Sequence, residues 1–159
     1  KGLDIYEDIY SNEDVTEVAI NTNRSIYAVE RGKGFIKRDG ISDNEKLINL
    51  IKFNLKNTDT DILLKQIDNI IDGYGLSNTS LYGYSYYNCD SSRGLAECNK
   101  ERFLKLRDDF NAKVLAGETD YSMLYVLMVF SFNNQIRFNR KGLFNLPVGK
   151  RDFNSKMSK

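Results

Sequence analysis

Residues 130–154 read Phe130-Ser131-Phe132-Asn133-Asn134-Gln135-Ile136-Arg137-Phe138-Asn139-Arg140-Lys141-Gly142-Leu143-Phe144-Asn145-Leu146-Pro147-Val148-Gly149-Lys150-Arg151-Asp152-Phe153-Asn154. A polar turn, Asn139-Arg140-Lys141-Gly142, separates two runs in which apolar and polar residues alternate, the pattern of a β-hairpin with a cationic tip over residues 135–146. Immediately before it, residues 121–132 form the longest apolar run of the chain. That run is too short to span a bilayer and suits a buried helix capped by Asp120. A buried helix leading directly into a hairpin holds the hairpin rigidly, as readout of a nucleic-acid groove requires.

The formal net charge of +1 conceals two opposite regions. From Arg137 onward stand Arg137, Arg140, Lys141, Lys150, Arg151, Lys156 and Lys159 against Asp152 alone, so this end carries +6 and the preceding residues −5. Positive charge beside a hairpin attracts a phosphate backbone, with an affinity that falls as salt rises. The competing reading is a lysine-rich tail, 155–159, that only aids solubility.

The 159 residues suffice for about one domain, and 41% hydrophobic with 28% charged residues describe a globular chain. Histidine is absent, which excludes Ser-His-Asp and Cys-His catalysis and His-ligated zinc. Cys89 and Cys98 are too few for a zinc site and match no redox spacing. Free thiols, with neither a leader nor a spanning segment in the sequence, lead us to expect a cytoplasmic protein.

Residues 1–43 carry short β-like runs at 3–5, 15–20, 25–29 and 35–36 among acidic and Gly-containing pieces, and Asp4, Glu7, Asp8, Glu13, Asp14 and Glu17 all precede residue 18. Helical spacing follows. Asp43 or Asn44 caps a helix with Leu47, Ile48, Ile51 and Leu55, and Asp59 or Thr60 caps a second with Leu63, Ile67, Ile70 and Ile71, closed by Gly73 and Gly75. A loop from 77 to 98 holds Tyr82, Tyr84, Tyr86 and Tyr87, whose rings suit packing on the domain more readily than stacking on bases. Asn99 opens a helix with Phe103, Leu106 and Phe110 on one face.

The order Leu124-Tyr125-Val126-Leu127, Phe132-Asn133-Asn134 and Arg137-Phe138-Asn139-Arg140-Lys141-Gly142-Leu143-Phe144-Asn145-Leu146-Pro147-Val148-Gly149-Lys150-Arg151 resembles the Dam family of adenine-specific DNA methyltransferases, of restriction-modification or phage type. Upstream, Tyr74-Gly75-Leu76-Ser77 with Thr79-Ser80, and Phe103-Leu104-Lys105-Leu106-Arg107-Asp108-Asp109-Phe110-Asn111, extend the likeness to about residues 44–154. The resemblance implies an α+β chain: a mainly helical target-recognition domain at 44–154 with a DNA-binding hairpin, attached at 1–43 to part of a Rossmann-like cofactor sheet. It implies double-stranded DNA as the partner. Phe132, Asn133 and Asn134 fall near the extruded adenine or the gap it leaves, and Gln135, Arg137, Pro147 and Arg151 near base edges. An arginine pairs bidentately with guanine and an amide with adenine. Gln135 stands where the family often has an apolar residue. Arg140, Lys141 and Lys150, with Asn139 at the turn, suit phosphate contacts that position without specifying. Phe138, Phe144 and Leu146 read as structural.

The family reaction carries a methyl group from S-adenosylmethionine to the adenine amine, oriented by an Asp-Pro-Pro-Tyr motif. Pro147 is the sole proline of these residues, so that motif is not among them, and no catalytic residue is assigned. This chain is expected to bind DNA without turnover on its own and to need a missing catalytic half. For the cofactor, Asp43 is the candidate ribose-binding acid, with Glu30 and Asp39 as rivals and helix capping as the competing use of Asp43. Gly32 and Gly34 lack the third glycine of a phosphate loop. Two other readings stay open: a non-catalytic DNA-binding remnant, and a helical protein-interaction module whose end is coincidentally basic.

Overall fold

A computed structural model describes residues 13–20, 26–38, 59–89 and 94–153. Asp39, Asp43, the expected strand at 3–5, the helix bearing Leu47 to Leu55 and the tail at 155–159 lie outside them. The architecture is α+β, a four-stranded antiparallel sheet with helices packed against it.

Alternation in the sequence becomes β1 (Val15–Ile20), β2 (Ile26–Glu30) and β3 (Gly34–Arg38). The β2–β3 turn passes through Gly32 and Gly34 at φ 77° and 73°, a region where only glycine is unstrained. These two glycines shape a hairpin turn that leads straight into β3, so they do not form a phosphate loop. After helices α1 (Thr60–Tyr74), α2 (Thr79–Tyr82), α3 (Ala96–Leu115) and α4 (Tyr121–Phe130), the chain returns as β4 (Ile136–Asn139). The strand order is β3-β2-β1-β4. Val18 faces Phe138 and Ile20 faces Ile136, so one sheet crosses the expected boundary at residue 43. Every strand pair is antiparallel, and the parallel pairs of a Rossmann-like sheet do not occur among the described residues.

The helices follow their sequence signals with informative departures. Asp59 caps α1 by accepting from the Asp61 amide at 2.8 Å, and Gly75 at φ 67° ends it, leaving Gly73 inside. Asp120 caps α4 through the Met123 amide at 3.0 Å. The start of α3 lies at Ala96 rather than Asn99, because Asn99 is buried and spends its side-chain amide on Ser77 instead of on a cap. On α4, Met123, Leu124, Val126, Leu127, Val129 and Phe130 are buried, so it runs through the core; it stops at Phe130, short of the expected Phe132. No helix among the described residues is long and apolar enough to cross a membrane.

Sheet and helices share one core in which Val18, Ala28 and Phe138 meet Phe103, Leu106, Phe110 and Leu127. Each of the buried valine, leucine and phenylalanine side chains contributes roughly 1.5–3 kcal/mol. Phe144 packs edge-on to both Phe110 and Phe138, at centroid distances of 6.4 and 6.0 Å. The Asn111 side chain donates to the Phe144 carbonyl at 3.1 Å and accepts from its amide at 2.7 Å, which fastens the end of the hairpin to α3. Phe138, Phe144 and Leu146 are all buried.

Candidate nucleic-acid interface

The hairpin turn closes as its residue types require. Gly142 donates to the Asn139 carbonyl at 2.8 Å, and the Asn139 side-chain oxygen accepts from the Lys141 and Leu143 amides at 2.9 and 3.1 Å. Asn139 therefore builds the turn. Only the first arm is a regular strand; the second is held by a Phe138–Phe144 bridge and by the Asn145 amide on the Arg137 carbonyl at 2.8 Å. The outer edge of the first arm is occupied by β1, so the hairpin is an edge of the sheet and not a free arm.

That pairing also brings the two charge regions together. Arg137, 23% exposed, donates from Nε to the Asn145 carbonyl at 2.7 Å and lies 3.4 Å from the Glu17 carboxylate. Glu17 also accepts from the Asn145 side chain at 2.9 Å. Arg140 donates from Nη1 to the Glu13 carbonyl at 2.9 Å, and its amide bonds the Thr16 carbonyl. The charge separation seen along the sequence is thus partly cancelled in space. Arg137, which the resemblance puts near base edges, directs its Nε to the sheet. Lys141 stays exposed at the tip.

A second cluster forms where α4 ends. The Ser131 hydroxyl lies 2.9 Å from the Met128 carbonyl and 2.8 Å from that of Gln135. Asn133 and Asn134 then take consecutive left-handed conformations, φ 56° and 53°, which asparagine tolerates better than other non-glycine residues. The Asn134 side chain returns to the Val129 carbonyl at 2.9 Å. This reversal turns Phe132 outward, leaving the ring 49% exposed, an uncommon state for phenylalanine.

Residues 147–151 cross directly beneath. Phe132 donates to the Pro147 carbonyl at 3.0 Å, Ser131 pairs with Val148, and Gly149 donates to the Phe130 carbonyl at 2.7 Å. A Cβ on Gly149 would run into the Ser131 carbonyl oxygen and lie 2.8 Å from its carbon, so only glycine passes here. The crossing carries Lys150 and Arg151 to the same place. Ser131, Phe132, Asn133, Asn134, Lys150 and Arg151 line one open cleft of about 460 Å³. Five of the sequence-predicted residues meet there: Phe132, Asn133, Asn134, Lys150 and Arg151. Gln135 and Pro147 flank it in sequence without lining it, and Arg137, Asn139, Arg140 and Lys141 belong to the hairpin.

The sequence reading missed what anchors this cationic strand. Asp152, 2% exposed, accepts from the Thr79 amide at 2.7 Å, the Thr79 hydroxyl at 2.8 Å and the Ser77 hydroxyl at 3.1 Å. Asn99 completes the network on Ser77. Asp152 was visible as the one acid among seven cations, and Ser77 and Thr79 as parts of a matching motif, but nothing local joined them.

Titration shifts lie away from the cleft. Burial, then the hydrogen bond to Asp109, pushes the Tyr74 phenol up to about 12. Burial, then the adjoining Cys89 thiol, pushes Cys98 up to about 11, which keeps it protonated at neutral pH. The described residues do not fit S-adenosylmethionine. Glu30 is buried and 3.1 Å from Lys33, and Gly32 with Gly34 makes a hairpin turn.

Over 98 residues the chain is 30% identical to the Modification methylase LlaI of Lactococcus lactis subsp. lactis, a match covering 62% of the chain and 12% of that protein. The similarity is distant and partial, and it supports a relation to methyltransferases. The chain therefore spans a small part of the length of the relative it matches. No family model matches the chain.

Proposed function

We propose that this chain is the DNA-binding, target-recognition part of an S-adenosylmethionine-dependent DNA adenine-N6 methyltransferase. The observation that carries the reading is the cleft of about 460 Å³, where an outward-facing phenylalanine, two asparagines and two cations converge. Each group has a use on DNA. Lys150 and Arg151 neutralise phosphates. The Phe132 ring is suited to fill a gap in a base stack, as apolar wedges do when a base is displaced. Asn133 offers an amide of the kind that pairs with adenine, while Asn134, whose side chain returns to Val129, shapes the reversal that presents it. The partial similarity to a modification methylase supports the same reading.

Methyl transfer needs an acceptor amine aligned with the methyl donor, and the chain's own residues do only the first half of that work. They hold the backbone, exclude water with the Phe132 ring and occupy the displaced position. The Asp-Pro-Pro-Tyr element is not in this sequence, so on this reading a catalytic half is the required partner.

Duplex binding as a function of salt tests the proposal. The chain should bind duplex DNA with a logarithmic affinity that falls linearly with log salt, and Lys150→Ala with Arg151→Ala should flatten that slope by about 0.9 for each phosphate contact removed. Absence of duplex binding at low salt, or an unchanged slope in the double variant, refutes it.

A further inference from the structure

Residues 73–89 contain no charged side chain, and Ser77 and Thr79 fasten the segment to Asp152, the residue after Arg151. Within this segment Tyr82 and Tyr86 stack on each other at a centroid distance of 4.9 Å and 24° between planes. Tyr87 braces Tyr86 edge-on at 5.1 Å, and its hydroxyl accepts from the Asn78 amide at 2.7 Å. Gly83 and Asn88, at φ 75° and 49°, fold the chain tightly enough to bring the rings together. The pair nevertheless remains 52% and 67% exposed. The expectation that these tyrosines pack onto the domain therefore fails for Tyr82 and Tyr86, because the rings pack chiefly on one another.

A braced aromatic pair with exposed ring surface, no acid in its segment and Lys150 and Arg151 next to its anchor suits one occupant well. We propose that Tyr82 and Tyr86 form a stacking platform for an unpaired base of the DNA strand whose phosphates lie along Lys150 and Arg151. The proposal rests on the DNA-binding reading above. Paired bases hide their faces in the duplex stack, so only an unpaired base offers a ring to the platform, and stacking of this kind tolerates any base. The cations supply attraction without sequence preference, and the platform selects for an exposed base.

The test uses the 159-residue chain with two probes: a blunt duplex, and the same duplex with a short unpaired tail bearing 2-aminopurine. The parent should bind the tailed probe roughly tenfold more tightly than the blunt one and quench the 2-aminopurine. Tyr82→Ala with Tyr86→Ala should lose that advantage while keeping the blunt-duplex affinity, and Tyr82→Phe with Tyr86→Phe should retain it. Equal binding of both probes by the parent, or an advantage that survives the alanine pair, overturns the platform while leaving the DNA-binding reading standing. Failure of the parent to bind either probe overturns both. Quenching by the parent needs no variant, so a poorly folded alanine pair does not remove the test.

Discussion

Replacing Asp152 with alanine removes the acceptor for three donors at once: the Thr79 amide, the Thr79 hydroxyl and the Ser77 hydroxyl. The hydroxyls can rotate toward other acceptors, but the amide is fixed by the backbone of α2 and loses its partner in a region where Asp152 is 2% exposed. Losing the charge-assisted bonds and leaving the amide unsatisfied costs about 3–5 kcal/mol in all. In a domain of this size each kcal/mol lowers Tm by about 2–4 °C, so the fall should be roughly 6–20 °C. Asp152→Asn keeps one acceptor oxygen and should cost about half as much. Urea titration followed by far-UV circular dichroism, with thermal melts on the same samples, measures both. A loss below about 1 kcal/mol for the alanine variant would show that the network does not hold residues 147–152 in place, and the argument that Asp152 anchors Lys150 and Arg151 would fall with it.

Gly149→Ala should destabilise by about 1–3 kcal/mol through the clash with Ser131, as read from the urea midpoint, and a neutral result would mean that the crossing opens easily. Arg137→Ala should cost about 1–2 kcal/mol through loss of its bonds to Asn145 and Glu17; if preference for one duplex sequence over a scrambled one survives this change, readout lies elsewhere in the chain. The Tyr74 phenol titrates at about 12 in the fold, above its ordinary value of 10, so the fold favours the protonated form. Its stabilisation is therefore complete below pH 10 and declines as pH rises from 10 to 12. Tyr74→Phe should flatten that alkaline decline when urea stability is compared at pH 9 and pH 11, and an unchanged pH slope would assign it to other groups.

Local signals in the sequence carried much of the fold. Alternation marked β1 and β2, Asp59 and Asp120 announced their helices, and Asn139 to Gly142 announced the turn, because capping and turn formation depend on residues within four positions of one another. The same locality explains what was hidden. Glu17 and Arg137 stand 120 residues apart, and no local pattern says that β1 will lie against β4 and place a carboxylate beside that guanidinium. The candidate site divided along the same line. Phe132, Asn133, Asn134, Lys150 and Arg151 were legible through a motif, while the partnership of Asp152 with Ser77 and Thr79 depended on packing between distant segments. Asn99 shows the converse, since a residue with strong capping chemistry went inside its helix when a buried partner was available.

The junction of β1 with β4 also sets an order of events during synthesis. Ile20 must wait for Ile136, 116 residues later, which at 5–20 residues per second is roughly 6–23 s of translation. Through that interval the backbone edge of β1 that will take β4 has no native partner, and such an edge invites pairing with another chain. The β1–β2–β3 meander joins neighbours in sequence and can form meanwhile. The edge of β1 is therefore covered only late in synthesis, when β4 arrives to close the sheet.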